Sequence, residues 1–211
     1  MTIIAHASDL HGDLGPLMAL GVRPDVWVLS GDICPNESRG FADIEVPYQT
    51  EWAHDFRAEL AEIFEGRPVV SIPGNHDYID MDAVLRDLGI IAHTVSETNP
   101  VEVAGLRFAG FRHVPWLAGE WNGEVHGFEA VVNRIVEHDP DILVTHSPAA
   151  GILDDGGHSV GIRELTTALA YRMRRVRAHL FGHNHERGGQ QVNEMGIQFS
   201  NAAETCQIIE V

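Results

Sequence analysis

Five short polar segments, each directly after an apolar run, carry side chains that could bind metal ions together. They contain three aspartates and five histidines and read Asp9-Leu10-His11, Gly31-Asp32, Gly74-Asn75-His76-Asp77, Thr145-His146-Ser147 and Gly182-His183-Asn184-His185. Carboxylate oxygens and imidazole nitrogens, with no thiolate among them, suit divalent or trivalent metal ions. Two such ions held about 3.5–4 Å apart cleave phosphate esters by in-line displacement. The segments therefore predict a dinuclear site for phosphate ester chemistry.

The apolar runs before these segments predict the strands that position them. The runs cover residues 3–8, 26–30, 68–72, 141–145 and 178–181. They are short and bounded by turn residues, which is typical of buried strands. Loops after strand ends can aim side chains while the sheet fixes their spacing. We therefore expect the polar side chains to converge where these strands end.

The rest of the chain predicts helices between the strands and a β-rich tail. Helices are expected over 14–20, 52–64, 81–88, 128–136 and 162–173, a hairpin over 101–111, and strands within 190–211. Residues 33–46 contain turn formers and are expected to be a long loop that overhangs the site. This order predicts an α/β (α+β) fold of two mixed sheets flanked by helices. With no repeat or linker, residues 1–211 are expected to form one domain.

The order of the five motifs resembles the calcineurin-like metallophosphoesterase superfamily. The resemblance covers nearly the whole chain, from Asp9 to His185. The segments after residue 145 are similar to a subgroup of small, single-domain members; they read Thr145-His146-Ser147-Pro148, Gly151-Ile152-Leu153-Asp154 and His158-Ser159-Val160-Gly161. That subgroup typically reads Thr-His-Gly-Pro-Pro at the first segment, so Ser147 and Ala149 depart from it beside the histidine. The resemblance implies a four-layer αββα sandwich with a dimetal site at the C-terminal ends of strands.

The resemblance also implies a role for each motif residue. The first ion would be held by Asp9, His11, Asp32 and His185. Asp32 would bridge to a second ion, whose other ligands would be Asn75, His146 and His183. Manganese, iron, zinc and cobalt ions all suit these ligands.

By the same resemblance, a hydroxide shared by the ions is the expected nucleophile. His76 would lie beside the leaving group as its proton donor or charge stabiliser. Asp77 would orient His76 through a hydrogen bond that fixes its tautomer.

Substrate contacts are less defined by the sequence. Cys34, His113 and His158 stand near ligand segments and are candidate substrate-binding residues, with Cys34 expected in the pocket wall. Three arginines could hold a phosphate, namely Arg39, Arg112 and Arg163. Trp116 or Trp121 could stack on a nucleobase or merely pack.

The composition restricts partners and location. The 14 basic and 31 acidic residues give a formal net charge of −17, which repels nucleic acids and anionic membranes. A small phosphate ester can still be attracted by bound metal ions. No apolar run approaches the ~20 residues of a membrane span. With two cysteines and no basic leader, a cytoplasmic protein is expected.

The predicted reaction is hydrolysis of small phosphodiesters, with cyclic nucleotides as one candidate class because related small members cleave them. The protein-phosphatase branch has a Val-Asp-Arg-Gly sequence after its Gly-Asp and an arginine before its Asn-His motif. This chain has Ile33-Cys34-Pro35 and Pro73 nearby instead. A phosphomonoesterase of the same superfamily is the first alternative. A metal-binding scaffold without catalysis is the second.

Overall fold

The computed structural model describes residues 1–117, 119, 121–155 and 160–211. Its strands are β1 (Ile3–Ser8), β2 (Val26–Leu29), β3 (Val69–Ser71), β4 (Ala92–Thr94), β5 (Val101–Val103), β6 (Leu106–Phe111), β7 (Val114–Pro115), β8 (Glu124–Val125), β9 (Ile142–Thr145), β10 (Ala178–Phe181), β11 (Gln190–Glu194), β12 (Ile197–Asn201) and β13 (Thr205–Glu210). Its helices are α1 (Gly15–Met18), α2 (Ala42–Asp55), α3 (Arg57–Phe64), α4 (Met81–Asp87), α5 (Glu129–His138) and α6 (Arg163–Tyr171), with a 3-10 turn at His185–Arg187. Within the described ranges, no helix has the length and apolar character needed to cross a membrane.

Two mixed sheets form the centre of the fold. The first has the strand order β13-β1-β2-β3-β4, and only β13 runs antiparallel to its neighbour. The second has the order β11-β12-β10-β9-β6-β5, with antiparallel pairing at both edges. A separate pair, β7 and β8, lies in the connection between β6 and α5. The prediction of two mixed sheets is confirmed.

Apolar side chains pack in three layers, which makes the sandwich four layers thick. The central layer joins the two sheets and includes Ile4, Val28, Phe108, Val144 and Leu180. Outer layers lie between the first sheet and α1–α4, and between the second sheet and α5–α6. The layers follow from side-chain alternation along each strand. The expected αββα arrangement is therefore correct.

The polar segments all follow parallel strands. β1, β2 and β3 are adjacent in one sheet, and β9 and β10 are adjacent in the other. The two sheets meet at this edge, where Nδ1 of His146 lies 2.8 Å from the carbonyl oxygen of Ser30. The C-terminal ends of five strands thus converge, as the sequence predicts.

The segment after β2 differs from its prediction. The expected loop over 33–46 ends at residue 41, and the expected single helix over 52–64 is divided into α2 and α3 at Phe56. The sequence misleads here because α2 includes Pro47 and turns two polar residues, Glu45 and Gln49, toward the interior. An apolar periodicity cannot detect a helix whose buried face is polar.

The close approach of β6 to β9, the strand that ends directly before His146, yields a prediction about stability. A Cβ atom at Gly110 would lie 1.8 Å from the carbonyl oxygen of Val144 in the paired strand. We expect Gly110→Ala to lower the free energy of unfolding by at least about 2 kcal/mol, since the strands must separate. Urea unfolding measures this change.

Gly127→Ala is the matched control, because no atom lies within 4 Å of its added Cβ. It should change the free energy of unfolding by less than about 0.5 kcal/mol. Equal unfolding midpoints for the two variants would contradict the described strand contact.

Candidate metal centre

The backbone at the ends of these strands adopts an unusual conformation. Four non-glycine residues have positive φ angles there: Asp9 (52°), His11 (45°), Asp32 (56°) and His183 (65°). Such conformations cost on the order of 1–3 kcal/mol each and persist where the surrounding structure imposes them. Here the amide of His11 donates to the carbonyl oxygen of Asp32 at 3.0 Å. The turns after β1 and β2 therefore hold each other in place.

The glycines of the motifs leave room for acidic side chains. A Cβ on Gly74 would lie 2.1 Å from Oδ1 of Asp32, and a Cβ on Gly182 would lie 2.0 Å from Oδ2 of Asp9. Each glycine thus lets a neighbouring turn approach a carboxylate from another strand. This contact explains why the motifs read Gly-Asn-His-Asp and Gly-His-x-His.

The structure brings all seven sequence-predicted ligand residues together. The donor atoms of Asp9, His11 and His185 lie within 4.8 Å of one another, as do those of Asp32, His146 and His183. Oδ1 of Asn75 lies 3.0 Å from Nε2 of His146. The described residues include a third cluster, formed by His11, Asp32 and His76. Asp32 belongs to the second and third of these clusters, and His11 belongs to the first and third, so the three clusters adjoin one another.

The surroundings of His146 fit a bound cation. Its Nδ1 lies 2.8 Å from the carbonyl oxygen of Ser30, which can only accept, so Nδ1 carries a proton. Its Nε2 points at two oxygens, Oδ2 of Asp32 at 3.1 Å and Oδ1 of Asn75 at 3.0 Å. Burial opposes a charge on His146, yet the carboxylates of Asp32 and Asp9 raise its pKa to about 9. The space between Nε2 of His146 and these two oxygens therefore favours a positive charge, which a metal ion can provide in place of a proton.

A similar arrangement of acidic groups surrounds His185. Nε2 of His185 lies 3.1 Å from Oδ1 of Asp9, and its Nδ1 lies 3.1 Å from Oε1 of Glu204. The hydrogen bond to Asp9 raises the pKa of His185. The other oxygen of Asp9 accepts hydrogen bonds from the hydroxyl of Ser8 and the amide of His183. Oδ1 is consequently the oxygen left to face a cation.

His183 has a buried nitrogen suited to metal ligation. Among the described residues, its Nε2 has no hydrogen-bond partner. Burial lowers the pKa of His183 to about 4, so the ring is neutral at neutral pH. A neutral ring can offer its lone pair to a metal ion. A buried nitrogen without a hydrogen-bond partner is otherwise costly, and a metal ion would satisfy it.

The expected hydrogen bond from Asp77 to the ring of His76 is wrong. Both carboxylate oxygens of Asp77 instead accept from backbone amides; the four donors are Asp32 (2.7 Å), Gly74 (2.8 Å), Ile33 (3.0 Å) and Cys34 (3.0 Å). Nδ1 of His76 lies 2.9 Å from Oδ1 of Asn36. Asp77 thus stabilises the turns after β2 and β3, while Asn36, from the loop after β2, contacts the imidazole of His76.

Of the predicted substrate-contact residues, the structure describes Cys34 and His113. Cys34 is completely buried in the core between the first sheet and its helices, so it cannot contact a substrate in this structure. Nε2 of His113 lies 4.0 Å from Oε1 of Glu97, a residue outside the five motifs. His158 lies outside the described residues.

Three residues near the centre were undecided or missed at the sequence level. The rings of Trp121 and His76 are in contact, with centroids 3.8 Å apart and a tilt of 35° between the planes. Arg112 donates to the carbonyl oxygen of Gly74 at 2.9 Å, whereas the other two candidate arginines are exposed. Asn36 was missed because the sequence marks it only as a residue type common in turns, four positions after Asp32.

Comparison with known proteins agrees with this geometry. A family model described as calcineurin-like phosphoesterase matches residues 2–187. The chain is similar to the metallophosphoesterase domain-containing protein 1 of Homo sapiens and of Mus musculus, with 27% identity over 202 residues in each case. These alignments cover 85% of this chain and 59% of the relatives, so the chain spans less than two thirds of their length. Since the family model spans most of the sequence, the chain belongs to the calcineurin-like phosphoesterase family.

Proposed function

We propose that this chain is a metal-dependent phosphoesterase that binds two ions and hydrolyses small phosphodiesters. The observation that carries the proposal is the position of Asp32, which shares one cluster of ligand atoms with His146 and His183 and another with His11 and His76. His11 also belongs to the cluster of Asp9 and His185, so Asp32 lies next to both sets of ligands. A carboxylate between two cations reduces their mutual repulsion at short range. Membership of the family supports the same reaction class.

The ligands divide into two sets around Asp32. Asp9, His11 and His185 would join Asp32 at one ion, while Asn75, His146 and His183 would join it at the other. When bound, two such ions polarise a phosphoryl group and lower the pKa of water, so that a hydroxide nucleophile exists near neutral pH. The carbonyl oxygen of Ser30 holds the proton of His146 on Nδ1, which keeps Nε2 available as a ligand atom.

His76 is proposed to protonate the leaving group. Its ring lies between those of His11 and Trp121, with centroid distances of 5.1 Å and 3.8 Å. Burial lowers the pKa of His76. The ring thus borders the ligand cluster on one side and is covered by an indole on the other, as expected for a group that transfers a proton in a partly dry site.

Charge favours a diester over a monoester substrate. A phosphomonoester carries up to two negative charges at neutral pH, because its second pKa is about 6, whereas a diester carries one. The chain has a net charge of −17, and Arg39 and Arg163 are exposed. Arg112 already donates to the carbonyl oxygen of Gly74. Cyclic nucleotides are the first diesters to screen, since Trp121 lies beside His76.

The reaction class is tested with para-nitrophenyl esters. In the presence of Mn²⁺ we expect faster hydrolysis of the diester than of the monoester, and loss of both activities after chelation. Faster monoester hydrolysis would support the phosphomonoesterase alternative. Bound metal without turnover of either ester would support a catalytically silent scaffold and contradict the proposal.

The roles of two histidines are separated by paired substitutions. His183→Ala should lower the bound metal from two ions to about one per chain, because a ligand is lost. His76→Ala should retain both ions and lower kcat for methyl phenyl phosphate, a diester with a poor leaving group, by about 100-fold or more, because only the proton donor is removed. Metal analysis after dialysis measures the first effect, and steady-state kinetics measures the second.

His76 also lies in a cluster with His11 and Asp32, so its position alone would allow it to bind metal, and the metal content of His76→Ala tests this. Loss of metal in His76→Ala would show that His76 is a ligand. Full metal content in His183→Ala would contradict the proposed ligand set.

A further inference from the structure

The loop between β2 and α2 presents one side chain to the imidazole of His76. Oδ1 of Asn36 lies 2.9 Å from Nδ1 of His76. The amide nitrogen of the same side chain donates to the carbonyl oxygen of His76 at 3.1 Å. Asn36 thus hydrogen-bonds both the backbone and the imidazole ring of His76.

The orientation of the Asn36 amide is fixed by its partners. Its amide nitrogen lies 3.1 Å from the carbonyl oxygen of His76. A carbonyl oxygen requires a donor, so the NH₂ group must face it. The amide oxygen is then the atom that faces Nδ1 of His76. Because that oxygen can only accept, Nδ1 must carry a proton.

Glu45 connects the loop that follows Asn36 to helix α2. Its carboxylate is buried and accepts from the amide of Glu37 at 3.1 Å, and from the amide and hydroxyl of Ser38 at 2.9 Å and 2.7 Å. The neighbouring helix residue Gln49 donates to the carbonyl oxygen of His76 at 2.7 Å. The buried polar face of α2 therefore supports the 36–41 loop and the His76 backbone together.

We propose that Asn36 is a positioning residue that keeps one proton on Nδ1 of His76, so that Nε2 is the nitrogen that exchanges a proton with the leaving group. This inference rests on the proposed phosphoesterase function. In the transfer step the Nε2–H bond breaks as the phosphorus–oxygen bond breaks. The ester oxygen keeps the electron pair of that bond and takes the proton, and the imidazole is left neutral with its proton on Nδ1.

Without Asn36, the neutral ring can place its proton on either nitrogen and can rotate about its side-chain bonds. Asn36→Leu removes the acceptor while keeping a side chain of similar size. The loss should depend on the leaving group, because only a poor leaving group needs a proton in the transition state. A merely structural role for Asn36 would affect all substrates equally.

Kinetics on two matched diesters test this dependence. With Mn²⁺ present, Asn36→Leu should lower kcat for methyl phenyl phosphate by about 100-fold and for methyl para-nitrophenyl phosphate by less than about tenfold. Ser38→Ala is the control, because it removes one donor to Glu45 and leaves the Asn36–His76 contact. It should change both rates by less than about twofold. Equal losses on the two esters in Asn36→Leu would overturn the proposal.

The tautomer itself is measured without activity. Nitrogen-15 correlation spectra of the metal-free wild-type protein should show the neutral ring of His76 protonated at Nδ1. A neutral ring protonated at Nε2 would overturn the proposal even if Asn36→Leu failed to fold. Absence of turnover by the wild-type protein on both esters would contradict the phosphoesterase function, while the spectra would still decide the role of Asn36.

Discussion

The carboxylate of Asp77 is the interaction on which the candidate site depends. It accepts four backbone amides, three from the turn after β2 and one from Gly74 after β3. Burial and the nearby Asp32 carboxylate raise the pKa of Asp77, whereas the backbone donors act in the opposite direction. Hydrogen bonds to an ionised carboxylate are strong. One side chain thus joins two turns and places Asp32 opposite the ligands from the second sheet.

A second constraint is the negative charge that these turns enclose. Asp9 and Asp32 are each only 1% exposed. Burial would raise the pKa of Asp9, but His146 and His185 lower it overall. Buried carboxylates stay ionised only when positive or hydrogen-bonding groups surround them. The clustered histidines compensate part of this negative charge in the protein alone, and two bound metal ions would compensate it more fully.

Much of the architecture and the ligand cluster could be predicted from the sequence, since both depend on local patterns. Short apolar runs marked the strands, and polar residues directly after them marked the converging ends. The partner of His76 could not be predicted this way. Asp77 follows it in sequence, yet its side chain turns toward backbone amides, and Asn36 reaches the ring from another turn. Hydrogen-bond partners depend on three-dimensional placement that adjacency does not reveal.

The sequence also did not reveal which side chains near the Gly-Asp motif are buried. Cys34 lies two residues after Asp32, but its side chain is buried in the core between the first sheet and its helices. The first part of α2 was not predicted because its buried face includes the polar residues Glu45 and Gln49, which support the site. In both cases the deciding contact is with a residue distant in sequence, so neither composition nor spacing could identify it.

Anomalous diffraction from crystals grown with Mn²⁺ would show whether Asp32 bridges two metal ions. We expect two peaks about 3.5–4 Å apart, both within coordination distance of the Asp32 carboxylate, with His185 at one and His146 at the other. A single peak, or two peaks that do not share Asp32, would contradict the proposed bridge.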